Sequence, residues 1–106
     1  MNPEGIMADI VPFLEAEWEK PNGFFGKVRE GNFDEYHGEQ VLAKVRELNF
    51  EAASAIDRRV VALLWYIPLF LSWQAKRVTE KGGDILAYKR FEDRMLTILQ
   101  DILGYP

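Results

Sequence analysis

The search for chemistry in this chain starts with what is missing. There is no cysteine and only one histidine. Disulfides, thiolate metal sites and thiol nucleophiles are therefore excluded. His37 stands beside Tyr36, between Asp34 and Glu39. Acid–base catalysis by histidine needs a reacting group or a partner within hydrogen-bond reach, and no cysteine or clear serine partner accompanies His37 in sequence. The expectation is a solvated histidine in the first turn of a helix.

The carboxylates come in pairs: Glu15 with Glu19, Glu35 with Glu39, and adjacent Glu92 and Asp93. A di-metal bundle requires Glu-x-x-His on two helices, and the nearest approach is a single Asp34-x-x-His37. The pairs therefore read as solvated helix faces, with Glu15 and Glu19 repelling each other one turn apart. Gly23, Gly26 and Gly31 invite a phosphate loop, but neither GxGxxG nor GxxxxGK[ST] occurs and no strand precedes them. Phe24, Phe25, Val28 and Phe33 are interleaved with these glycines, which reads as tight turns holding aromatics against a core. Arg58 and Arg59 follow Asp57. They are expected to form a rim ion pair, with Asp34 or Glu51 as the acceptor; the alternative is an anion site where arginine, Trp65 and Tyr66 converge. No catalytic residue, metal or cofactor is expected.

The elements that position these residues are helical. "DIVPFLEAEWEK" carries Ile10, Leu14 and Trp18 at four-residue spacing, with Asp9 as expected N-cap and Pro12 in the first turn; the alternative is a start at Pro3, with Pro12 kinking the helix. A short helical turn over Phe24–Arg29 follows, capped by Asn22. A helix begins at Asp34 and runs to about Leu48, with Val41, Leu42, Val45 and Leu48 as its stripe and Gly38 weakening its first half. From Asn49 the pattern is helical again, and Ile56, Val60, Leu63, Ile67, Phe70 and Gln74 form one seam. Asn49, or Ser54 together with Asp57, is the expected cap. Pro68 predicts a kink or break, and Gly82-Gly83 a stop. The last helix starts at Asp84 and ends at Gly104, its apolar face running from Ile85 to Ile102.

The segment "VVALLWYIPLFLSWQ", residues 60–74, is apolar nearly all round. It is shorter than the roughly 20 apolar residues of a spanning helix. Asp57, Arg58 and Arg59 bound it on one side, Lys76 and Arg77 on the other, and Pro68 interrupts it. It reads as a core helix and not as a membrane anchor. A chain of 106 residues cannot cover every side of such a helix, so Trp65, Leu69 or Trp73 is expected to stay exposed, and a homodimer through this helix is the expected cover.

These elements make one all-α domain over residues 1–106: a compact bundle of four main helices around a kinked, largely apolar central helix, with a Gly/aromatic-rich loop between helices 1 and 2. Apolar residues are 48% and charged residues 28%, a globular balance that excludes disorder. The net charge of −4 argues against nucleic-acid binding, which needs a basic patch. The opening "MNPEGIMADIVPF" lacks the basic region of a signal peptide, so the expected location is the cytoplasm.

Two functional readings follow. The first is a bacterial-type protein–protein interaction module, an antidote or immunity-type binder of a basic protein. Trp18, Asp34, Glu35, Tyr36 and Glu39 would form its partner surface. The second is a small-ligand binder or sensor, with a pocket beside Pro68 walled by Phe25, Arg58, Trp65, Tyr66 and Trp73.

Overall fold

The computed structural model describes residues 3–50 and 55–106, the side chains of residues 3–8 excepted. Five helices follow in order: α1 (Pro3–Glu19), α2 (Phe24–Arg29), α3 (Glu35–Arg46), α4 (Arg58–Glu80) and α5 (Ile85–Leu103). There is no strand among the described residues. The architecture is the expected all-α bundle of four main helices, with the short α2 inside the glycine-rich segment.

The caps explain most of the boundaries. Asp34 accepts a hydrogen bond from the His37 amide at 3.1 Å and starts α3. Asp84 does the same for the Ala87 amide at 3.0 Å and starts α5. Asp57 accepts from the Arg59 amide at 2.8 Å, so α4 begins at Arg58 and not near Asn49. Asn49 and Phe50 lie outside any helix, and the Phe50 ring is buried in the core. The alternative cap at Ser54, and Glu51 as a partner for arginine, fall outside the described residues.

Two further expectations are corrected. Asp9 is not a cap, because α1 takes the alternative start at Pro3 and carries Pro12 within its body. Asn22 does not cap α2 either. Gly23 is the N-cap, with no side-chain hydrogen bond. It is glycine because a Cβ there would meet the Ala16 and Glu17 carbonyl oxygens at 2.6 Å; the start of α2 is pressed against the end of α1. Of the kink or break expected at Pro68, the break is absent: α4 is continuous through it to Glu80.

Left-handed glycines end the helices on either side of one junction. Gly31, at φ +84°, closes α2, and Gly82, at φ +78°, closes α4. A Cβ on Gly31 would lie 2.8 Å from the Arg77 carbonyl oxygen, so the turn after α2 sits directly on the last turn of α4.

The core is built from the stripes read in the sequence. Ile10 and Leu14 of α1, Val41, Leu42 and Val45 of α3, Val60, Leu63, Leu64, Ile67, Phe70 and Leu71 of α4, and Tyr88, Phe91, Met95, Ile98 and Leu99 of α5 are all buried. Tyr88 is the largest fully buried side chain, and its hydroxyl donates to the Leu71 carbonyl oxygen, pinning α5 to α4. Burial pushes its phenol pKa well above the ordinary tyrosine value, with the Glu92 carboxylate adding to the effect. Gly38, within α3, lies where a Cβ would meet the Phe91 ring at 2.9 Å and the Phe24 ring at 3.1 Å.

Two outcomes follow for the core. Gly38→Ala is expected to lower the melting temperature, because overpacking of about 1–3 kcal/mol exceeds the helix-propensity gain of about 1 kcal/mol; a raised melting temperature would contradict the ring packing. Tyr88→Phe is expected to cost about 1 kcal/mol at neutral pH. In the wild type the unfolded phenol ionises near pH ~10 while the folded one keeps its proton. The stability contributed by Tyr88 is therefore present below that pH and lost as pH rises toward the folded value. Denaturation followed between neutral and alkaline pH is expected to show a shallower alkaline loss in Tyr88→Phe than in the wild type.

Candidate functional site

The acidic surface read from the sequence is largely engaged within the chain. Asp34 caps α3 with one oxygen and binds Lys27 Nζ at 2.7 Å with the other. The lysine contact, then the His37 amide, hold its carboxyl below the ordinary range. Glu39 makes a two-pronged pair with the Arg94 guanidinium of α5, one arm at 3.0 Å, and Arg94 lowers its pKa in turn. Glu35 and Tyr36 are exposed, Tyr36 at 75%. Trp18 is not an exposed anchor: its ring stacks on Phe25 at 4.0 Å, its Nε1 donates to the Leu63 carbonyl oxygen at 3.1 Å, and it joins the core. The five residues of the expected partner surface thus include a packed indole and two paired carboxylates.

His37 is not solvated as expected. Its side chain is 19% exposed and its Nε2 lies 2.6 Å from Glu17 Oε2, an ion pair whenever the imidazole is protonated. The Phe24 ring covers it edge-on at 5.7 Å. The expected repulsion of Glu15 and Glu19 is also overturned. Both face Arg59 Nη2, at 3.0 and 3.7 Å, so the arginine joins the start of α4 to α1. Neither Asp34 nor any other described residue pairs with Arg58, which is exposed. No group of three or more histidine, aspartate or glutamate side chains among the described residues is arranged to hold a metal.

The expected ligand pocket is only partly assembled. Phe25 is fully buried beneath Trp18 and cannot wall an open cavity. An open groove of about 300 Å³ lies by Tyr66, lined by Trp18, Glu19, Arg59, Leu63, Trp65 and Tyr66. Trp65 and Tyr66 belong to it; Arg58, Trp73 and Pro68 do not. Of the two arginines singled out in the sequence, Arg59 and not Arg58 is the one that joins Trp65 and Tyr66. The signal was its place in the first turn of α4, four positions before Leu63, but nothing in the sequence placed α1 beside it.

What the fold leaves uncovered is the outer face of α4. Trp65 is 54% exposed, Trp73 58% and Leu69 37%. They follow each other at four-residue spacing, on the side of the helix opposite buried Leu63, Ile67 and Phe70. Tyr66 stands between the tryptophans, edge-on to Trp65 at 5.5 Å and to Trp73 at 5.9 Å. The underside of Tyr66 meets Trp18 at 5.6 Å, so the exposed rings rest on the core. No helix among the described residues is long and apolar enough to cross a membrane.

The capping and pairing at Asp34 have a measurable consequence. Because the Asp34 and Glu39 carboxyls are held low in the folded state, the unfolded chain binds more protons in acid. Their contribution is present above about pH 4 and lost as pH falls through the folded values. Both side chains are well exposed, so solvent screens much of the effect. Asp34→Ala is expected to cost about 1 kcal/mol at neutral pH and to flatten the acid limb of a stability–pH curve; an unchanged denaturation midpoint would sink this reading of the cap. Comparison of the chain with protein-family models, with curated proteins and with solved structures finds no match in any of the three.

Proposed function

We propose that this chain is a protein-interaction module that docks through the outer face of α4, acting by recognition and not by turnover. One observation carries the reading: two tryptophans and a leucine stand in water on a helix whose other faces are covered. Complete burial of a large apolar side chain contributes roughly 1.5–3 kcal/mol, of which these partly exposed residues forgo a share, and tryptophan is enriched among the residues that anchor protein interfaces. The face is also pre-ordered. Trp65 and Trp73 brace Tyr66, and Tyr66 rests on Trp18, so little side-chain freedom is lost on docking.

The net charge of −4 favours encounter with a basic polypeptide, as in an immunity-type antidote acting in the cytoplasm. Of the sequence-read surface, Glu35 and Tyr36 at the start of α3 are the members left exposed and outside the ion pairs. Asp34 and Glu39 already spend their charge on Lys27 and Arg94. The ligand-binding alternative rests on the groove by Tyr66, whose volume of about 300 Å³ is at the floor of the usual range for small-molecule sites and whose mouth is open. It ranks second.

The test is a photoreactive aromatic residue placed at position 69, compared with one at exposed position 93 on α5. The expected result is a discrete cross-linked protein species from position 69 and none from position 93. Equal yields, or no product at position 69 in cells that make the protein, would overturn the reading.

A further inference from the structure

The outer face of α4 is laid out about Leu69. Trp65 and Trp73 lie four residues to either side of Leu69, Ala62 and Lys76 seven, and Arg58 and Glu80 eleven. Offsets of four, seven and eleven return to one face of an α-helix, and all seven of these positions are exposed. The centre is apolar, Arg58 stands at one end, and Glu80 stands with Lys76 at the other. Such a face is complementary to itself when turned end for end.

The end charges stand where the isolated chain gains least from them. Arg58 is the first residue of α4 and has no ion-pair partner among the described residues. Glu80 is the last and reaches only Lys76 of its own helix, at 4.0 Å. A cation at a helix N-terminus and an anion at a C-terminus both oppose the helix dipole. Neighbouring Arg59, by contrast, is held by two carboxylates of α1.

We propose that two copies of this chain associate through α4, antiparallel and two-fold symmetric about Leu69. The proposal rests on the reading of this face as a docking surface and names a second copy, in place of the basic polypeptide, as the occupant of that face. The axis sets Leu69 against its counterpart and brings Trp65 level with Trp73 of the second copy. It also places Arg58 beside Glu80 of the second copy, twice by symmetry. Each misplaced charge then meets an opposite charge and the favourable end of the opposing helix. The small Ala62 leaves room for Lys76 of the second copy. The paired face is about 33 Å long, from the helical rise. One helix pair falls below the standard interface of about 800 Å² per partner, so the dimer is expected to dissociate in the micromolar range.

Sedimentation equilibrium on the full chain, from about 1 μM to 1 mM, tests this. The expected result is a mass rising from 12.3 kDa toward twice that value. Arg58→Glu and Glu80→Arg are each expected to weaken association about tenfold or more, and the double swap to restore it to within about threefold, in line with charge-pair coupling across interfaces. Both substitutions suit the helix dipole, so circular dichroism is expected to show the monomer folded in every variant. The chain has no native cysteine, so Leu69→Cys is expected to oxidise to a linked dimer. Arg58→Cys is not, because the antiparallel register holds its two copies about 33 Å apart.

A constant mass of 12.3 kDa, a double swap as weak as the singles, or ready self-linking of Arg58→Cys would overturn the dimer. The two readings fail separately. A chain monomeric throughout that cross-links from position 69 to a different protein loses the dimer and keeps the docking face. A monomer that cross-links to nothing loses both.

Discussion

Everything else in the bundle depends on the placement of two adjacent phenylalanines. Phe24 and Phe25 sit at the head of a six-residue helix and are completely buried. Phe24 meets Phe33, Phe91 and the His37 ring; Phe25 meets Trp18 and Phe70. Through these contacts α2 touches α1, α3, α4 and α5. A helix this short has no stability of its own, and it exists because the surrounding helices hold its aromatics. Offset and edge-to-face geometries let so many rings converge without a void. Gly23, Gly26 and Gly38 allow the backbones to come close enough for the rings to meet.

Polar contacts then fix how the longer helices lie around that wedge. The Trp18 indole bonds to the Leu63 backbone and Arg59 grips two carboxylates of α1, so α1 is fastened to α4 at two levels. Arg94 and Glu39 tie α5 to α3, and buried Tyr88 ties it to α4. The exposed ion pairs contribute little stability one by one. Their effect is on orientation: with α1, α2 and α5 committed to the inner and lateral sides of α4, nothing among the described residues covers Trp65, Leu69 and Trp73.

Much of this was legible in the sequence, for definite reasons. Asp34 and Asp84 were readable as caps because each precedes a clean apolar stripe, and the stripes of α3 and α5 are the faces that became buried. The start of α4 was misjudged because residues 49–57 have helical composition, while the deciding contact, the Asp57 carboxylate on the Arg59 amide, is a matter of geometry. Pro12 was read as a first-turn residue and Pro68 as a kink or break, yet α1 and α4 are continuous across them. The surface was harder still. The partners of Asp34, Glu39, Glu15 and His37 lie on other elements, from 7 to 55 positions away where bonds join them, and no spacing rule connects residues so placed. An exposed Trp65 and Trp73 could be anticipated from the shortage of chain to cover them. The internalised Trp18 could not, since its stripe position and amphipathic side chain fit either environment.

The junction at Gly31 reaches beyond stability. The turn that closes α2 rests on the Arg77 backbone and on the Lys81 side chain at the end of α4, and Arg77 returns a bond to the Arg29 carbonyl oxygen. Two connections remote in sequence are thereby keyed to each other. A residue inserted into or deleted from either would unseat both. Chains descended from the same ancestor are therefore expected to hold these two loop lengths constant, and to drift in length elsewhere.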